Sequence, residues 1–120
     1  MISARLGLIS TPGPIRDATC ATIAGLSKVR LVILASGALS ATQHLQHIPL
    51  DLVLLDGNLP EEEVAALLTW LADHQPAVRK VVARATTAEC DQARAFGADE
   101  AFRRDELATK LELFIQAMSR

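Results

Sequence analysis

Tyrosine is missing from these 120 residues, and three phenylalanines and one tryptophan bring the aromatic share to only 3%. Half of the residues are nonetheless hydrophobic, so the core has to be aliphatic, built from Leu, Ile, Val and Ala. Cysteine is equally scarce. Cys20 and Cys90 both fall in helical patterns and not in a spaced framework, so they read as reduced, buried small hydrophobes and not as a disulfide. No sign of charge dominates: a formal net charge of −2 gives this domain alone no electrostatic reason to bind nucleic acid. No apolar run approaches the roughly 20 residues that cross a bilayer, and Met1 to Leu6 lacks the charged-then-apolar plan of a signal peptide. No linker, repeat or low-complexity tract divides the chain. These absences lead to the expectation of one soluble, cytoplasmic domain over residues 1–120, large enough to bury a single core and with no tie to a membrane.

What is present is alternation. Arg5 to Ile9 reads as a first strand, followed by the breaker-rich loop Ser10-Thr11-Pro12-Gly13-Pro14. Ile15, Ala18, Thr22, Ile23 and Leu26 then recur at helical spacing. Val29 to Leu34 reads as a second strand, Ser36-Gly37 as a turn, and Ser40 to His47 as a weaker helix. Asp51 to Leu55 is a third strand, delivering Asp56 to its carboxyl end. Pro60 opens the clearest helix, where a missing N–H costs nothing, and Glu61, Glu62 and Glu63 form a solvated first turn that complements the helix dipole. Val64, Leu67, Leu68 and Leu71 are its buried stripe, and Pro76 marks its exit. Lys80 to Ala85 is a fourth strand. A helix from about Thr87 to Phe96 stops at Gly97, a residue suited to a left-handed cap. Ala101 to Arg103 makes a fifth strand, and Asp105 can cap a last helix with the stripe Leu107, Leu111, Phe114, Ile115 and Met118. Strands alternating with helices in this way imply a parallel sheet covered on both faces. Right-handed crossovers leave few topologies, and the expected one is the doubly wound, flavodoxin-like order 2-1-3-4-5.

In such sheets ligands and chemistry sit at the carboxyl edge, which is where Asp56 arrives. The segment Asp51 to Pro60 closely resembles the phosphoacceptor strand of receiver domains in two-component response regulators: a buried strand, then Asp, two residues, an apolar residue and Pro. Gly97 to Leu107 is similar to a second receiver segment, Gly-Ala-Asp followed by a short strand, a Lys and a helix start. The resemblance covers nearly the whole chain. It implies that Asp56 is the phosphoacceptor candidate and that Asn58 stands where the backbone carbonyl ligates a metal. Phosphoryl transfer to a carboxylate concentrates negative charge, which a receiver neutralises with Mg²⁺ on an acidic pair and with a fixed Lys.

Here the pattern departs from the family. Ser10 and Thr11 follow the first strand in place of the acidic pair, and the nearest downstream carboxylate is Asp17, inside the helix. No metal site, and weak Mg²⁺ binding at most, is therefore expected. The hydroxyl position after the fourth strand falls on Arg84 or, by a longer spacing, on Thr86; Arg84 fits the strand better. The segment from there to Gly97 is short, which trims the fourth helix. Arg104 takes the Lys position as a planar fork, and Ala101 takes the aromatic switch position. These departures describe an atypical, or pseudo-, receiver.

The expected function is signal transduction by protein–protein interaction, independent of phosphorylation and without enzymatic activity. The alternative is a conventional phosphorelay receiver phosphorylated on Asp56 by a histidine kinase. The site rim comprises Ser10, Thr11, Asn58, Arg84, Thr86 and Arg104. Either arginine can pair with Asp56 in place of a metal, or turn to solvent. The interaction face is the last helix, fifth strand and fourth helix, with Arg103, Ala101 and Leu107. Partners are a histidine kinase or an output domain, or a second copy in a homodimer. The Asp-Glu-Leu after Arg104 resembles receivers that precede helix-turn-helix output domains, which allows the chain to be one module of a longer regulator. Three further features read as structural. The Ser10–Pro14 loop lies where a phosphate cradle would, but its two prolines remove N–H donors and the chain has no Tyr to stack a flavin, so it reads as a turn. A small-molecule site there rests on fold analogy alone. His44 and His47 lack a third ligand and read as surface residues. Trp70 reads as a half-buried packing residue, and His74 carries no signal.

Overall fold

The computed structural model describes residues 3–56 and 58–118; Gly57, in the turn expected after the third strand, lies outside them. Five aliphatic runs form β1 (Ala4–Ile9), β2 (Val29–Ala35), β3 (Leu52–Leu55), β4 (Arg79–Arg84) and β5 (Glu100–Arg103). Between and after them run α1 (Pro14–Ala24), α2 (Ala38–Leu45), α3 (Glu61–His74), α4 (Thr87–Ala95) and α5 (Leu107–Met118). All strands are parallel, in the expected order 2-1-3-4-5.

Alternation along each strand sorts the core into two layers. Val53 and Leu55 pack with Ile9 and Val82 beneath α2, α3 and α4, whereas Leu52 and Leu54 pack with Leu6, Leu8 and Val81 beneath α1 and α5. Gly7 in β1 shows how closely side chains pack: a Cβ there would come within 2.7 Å of Leu50 Cδ1. No helix among the described residues is long and apolar enough to cross a membrane.

Several differences from expectation lie at element ends. Helix α2 starts at Ala38 and ends at Leu45 instead of running from Ser40 to His47. Its first turn is held from outside, because the Ala38 amide donates to Glu63 Oε1 at 3.0 Å. Glu63 is therefore a cap for a neighbouring helix and not only a solvated charge. Pro60 precedes α3 as its cap residue, one position before the first helical residue. In α1 the inward stripe is Ile15, Thr19 and Ile23, with Ala18 exposed. Asp51 stands just before β3, its carboxylate accepting the Arg5 amide at 2.7 Å. Asp105 does not cap α5. It lies in a single 3₁₀ turn, Arg104–Glu106, and its carboxylate pairs with Arg103 at 3.3 Å. Both cysteines are free thiols; Cys90 is buried, but Cys20 is only half-buried. Burial pushes the Cys90 thiol up, which keeps it protonated and unreactive.

Gly97 ends α4 as expected. It sits at φ +110°, its amide donates to Arg94 O at 3.1 Å, and the Ala98 amide donates to Ala93 O at 3.1 Å. This is the paired bonding of a Schellman cap. A side chain at that backbone angle is strained, so Gly97→Ala should lower stability by about 1–2 kcal/mol in urea unfolding without changing the fold.

Candidate functional site

One step past the end of β3, the Asp56 amide still donates to Ile9 O at 2.9 Å, which ties the residue to β1. Its side chain sits at the carboxyl edge of the central strand and is 0% exposed. A buried carboxylate has to be hydrogen-bonded or paired, and groups from distant parts of the chain serve it. Thr19 donates its hydroxyl to Oδ2 at 2.8 Å, and Ser10 donates to the same oxygen at 3.0 Å. Arg104 approaches Oδ1 through Nη2 at 3.5 Å. The Arg104 Nε is buried with no hydrogen-bond partner among the described residues.

A second set of bonds closes the loops above Asp56. Asn58 Oδ1 accepts the Thr11 amide at 3.1 Å, and Asn58 Nδ2 donates to Thr11 O at 2.9 Å. The Ser10 hydroxyl also lies 3.3 Å from Asn58 Oδ1. The β1–α1 loop is thereby latched to the turn after β3. The cluster holds one carboxylate, and no group of three or more His, Cys, Asp or Glu gathers among the described residues.

Of the rim candidates, Ser10 and Arg104 contact Asp56 directly, and Asn58 and the Thr11 backbone join them through Ser10. The other two rim candidates do not join them. Arg84 is buried and donates to Leu59 O at 3.2 Å, with a 3.5 Å ion pair to Glu89. The inward end of β4 already fixes its direction, so it braces the β4–α4 connection. Thr86 spends its hydroxyl as the N-cap of α4, accepting from the Glu89 amide at 3.2 Å. On the interaction face, Ala101 and Leu107 are buried at 1% and 3% exposure. They belong to the core, and Arg103 is the member of that trio within reach of a partner. Arg103 is itself engaged, with Glu106 at 2.8 Å and Asp105 at 3.3 Å. An open cleft of about 430 Å³ lies beside it, lined by Ala85, Arg103, Arg104 and Asp105.

Thr19 is the functional residue that sequence reading missed. Ile15, Thr19 and Ile23 are spaced by four on one helix face, so a hydroxyl between the half-buried Ile15 and the buried Ile23 was the available signal.

No family model matches the chain, and no curated protein matches it. Its fold is similar to that of the signal receiver domain of NarL from Mycobacterium tuberculosis, with a TM-score of 0.82 at 18% identity over 98% of this chain and 97% of that one. The RcsB response regulator of Salmonella typhimurium matches with a TM-score of 0.82 at 11% identity, over 99% of this chain and 61% of RcsB. A LuxR-family two-component response regulator from an Aurantimonas species matches at 0.74 and 20% identity, over 96% of this chain and 86% of that one. At these identities the likeness establishes the fold, which is that of receiver domains.

Two sets of substitutions test the cluster. Thr19→Val keeps the shape but removes a donor from a buried carboxylate, and should cost about 1–3 kcal/mol in chemical denaturation. Arg104→Met leaves Asp56 without its counter-charge and should also destabilise, whereas adding Asp56→Asn should recover part of the loss, giving a coupled double-mutant cycle. Nearby, Lys110 and then Arg103 hold the Glu106 carboxyl below its usual range. Its contribution is therefore present at neutral pH and lost as pH falls through the lowered value, so Glu106→Gln should flatten the acid limb of the stability profile.

Proposed function

We propose that the chain is an atypical receiver domain that signals through protein–protein contact and does not depend on phosphorylation of Asp56. The complete burial of Asp56 beneath Ser10, Thr19 and Arg104 carries this reading. A phosphoacceptor has to meet its donor in line and pass the new charge to a cation. Here both carboxylate oxygens already have protein partners, and Ser10 and Thr11 stand where the resemblance puts the acidic pair.

The residues present do not fit Mg²⁺. That ion demands near-octahedral oxygen ligands and sheds water reluctantly. The site offers one carboxylate already engaged by two hydroxyls, and an amide oxygen turned to Thr11. Weak Mg²⁺ binding at most is proposed, with Arg104 as the built-in counter-charge. The domain is then regulatory and not an enzyme, and works in the cytoplasm. Its partner is a histidine kinase, an output domain or a second copy, engaged through Arg103 and the exposed parts of α4, β5 and α5. The likeness to RcsB, of which this chain covers 61%, supports an output domain among these choices.

A second reading, phosphorylation of Asp56 by a histidine kinase, is favoured by its place at the carboxyl edge of β3 with a cation at 3.5 Å. One experiment separates the two. The protein and its Asp56→Asn variant are incubated with Mg²⁺ and a small acyl-phosphate donor, and intact mass is measured. The proposal expects no phosphate adduct on either; an adduct on the parent that Asp56→Asn abolishes would establish the second reading.

A further inference from the structure

The chain has 12 lysines and arginines, yet residues 31–78 contain none of them. Its acidic side chains are Asp and Glu, alongside His44, His47 and His74. It builds α2 and α3, which pack side by side over one face of the sheet. Between the two helices lies an open groove of about 300 Å³ lined by Ala38, Leu39, Thr42, Ala66, Leu67 and Trp70.

The lining is shaped for apolar contact. Leu67 is a buried floor, and the small Ala38 and Ala66 leave room above it. Leu39 stands on one wall at 78% exposure, more than any other large hydrophobic among the described residues. Trp70 stands on the other, half-buried, its ring stacked on His74 at 4.7 Å. A lone exposed leucine is ordinary, but one that borders an apolar groove beside a tryptophan is a docking feature. The charges that flank it have one sign. On α3, Glu62 lies one turn before Ala66 and Asp73 one turn beyond Trp70, both exposed. No cation from α2 or α3 neutralises them.

We infer that the α2–α3 groove docks a short, basic, amphipathic helix of a partner protein. Its apolar anchors enter between Leu39 and Trp70, and its Lys or Arg side chains meet Glu62 and Asp73. This surface is separate from the Arg103 face and from Asp56, so its failure would leave the proposed function standing.

Trp70 is the one tryptophan, so its emission reports on the groove. The protein is titrated with two synthetic amphipathic helical peptides that share a leucine face, one otherwise lysine-rich and the other glutamate-rich. The inference predicts a saturable blue shift with the lysine peptide that weakens at high salt, and none with the glutamate peptide. Leu39→Glu should lower affinity about tenfold or more with unchanged circular dichroism, while Leu113→Glu on α5 should leave it as it is. Unmoved Trp70 emission, an equal response to both peptides, or undiminished binding by Leu39→Glu overturns it. Self-association of the protein alone that Leu39→Glu abolishes would also overturn it, by giving the groove to a second copy.

Discussion

The carboxylate of Asp56 lies out of reach of water at the end of the central strand, and the carboxyl edge of the sheet is organised to satisfy it. An isolated buried charge costs several kcal/mol even after the protein relaxes. The groups that offset this cost come from distant parts of the chain: Ser10 after β1, Thr19 inside α1 and Arg104 at the turn into α5. Asn58 then fastens the first of these loops down. Sheet order explains why they can meet. With β1 and β4 flanking β3, and β5 beside β4, every strand-to-helix connection concerned opens at the same edge.

In the folded chain two hydroxyls and one guanidinium meet the Asp56 carboxylate. On the function proposed above, these donors stand in for a dissociable metal and signalling falls to surfaces. Two surfaces differ in charge: arginines cluster near the β5–α5 turn, whereas α2 and α3 carry carboxylates around an apolar groove.

Much of the fold was legible because it depends on local rules. Aliphatic runs, the Gly97 stop and the alternation of strands and helices lead directly to the order 2-1-3-4-5. The errors come from side-chain partners that the pattern of the sequence does not name, some distant and some local. The start of α2 depends on Glu63, twenty-five residues away. The site was legible at Asp56, Ser10, Thr11, Asn58 and Arg104, whose positions follow from strand ends and loops. It was not legible at Arg84 and Thr86, because Leu59 and Glu89 compete for them. Thr19 escaped notice because a hydroxyl on a buried helix face reads as a satisfied polar residue until its partner is known. Ala101 and Leu107 lie on elements of a plausible contact face, but their side chains point into the core.

We propose that protein groups, and not a metal, complete the Asp56 site. The most direct test is a Mg²⁺ titration of isotope-labelled protein followed by amide NMR at Ser10, Thr11, Asp56, Asn58 and Arg104. These resonances should stay in place at physiological Mg²⁺ and move together when Thr19 is replaced by Val. A saturable Mg²⁺-dependent shift confined to Asp56 and its neighbours would contradict it.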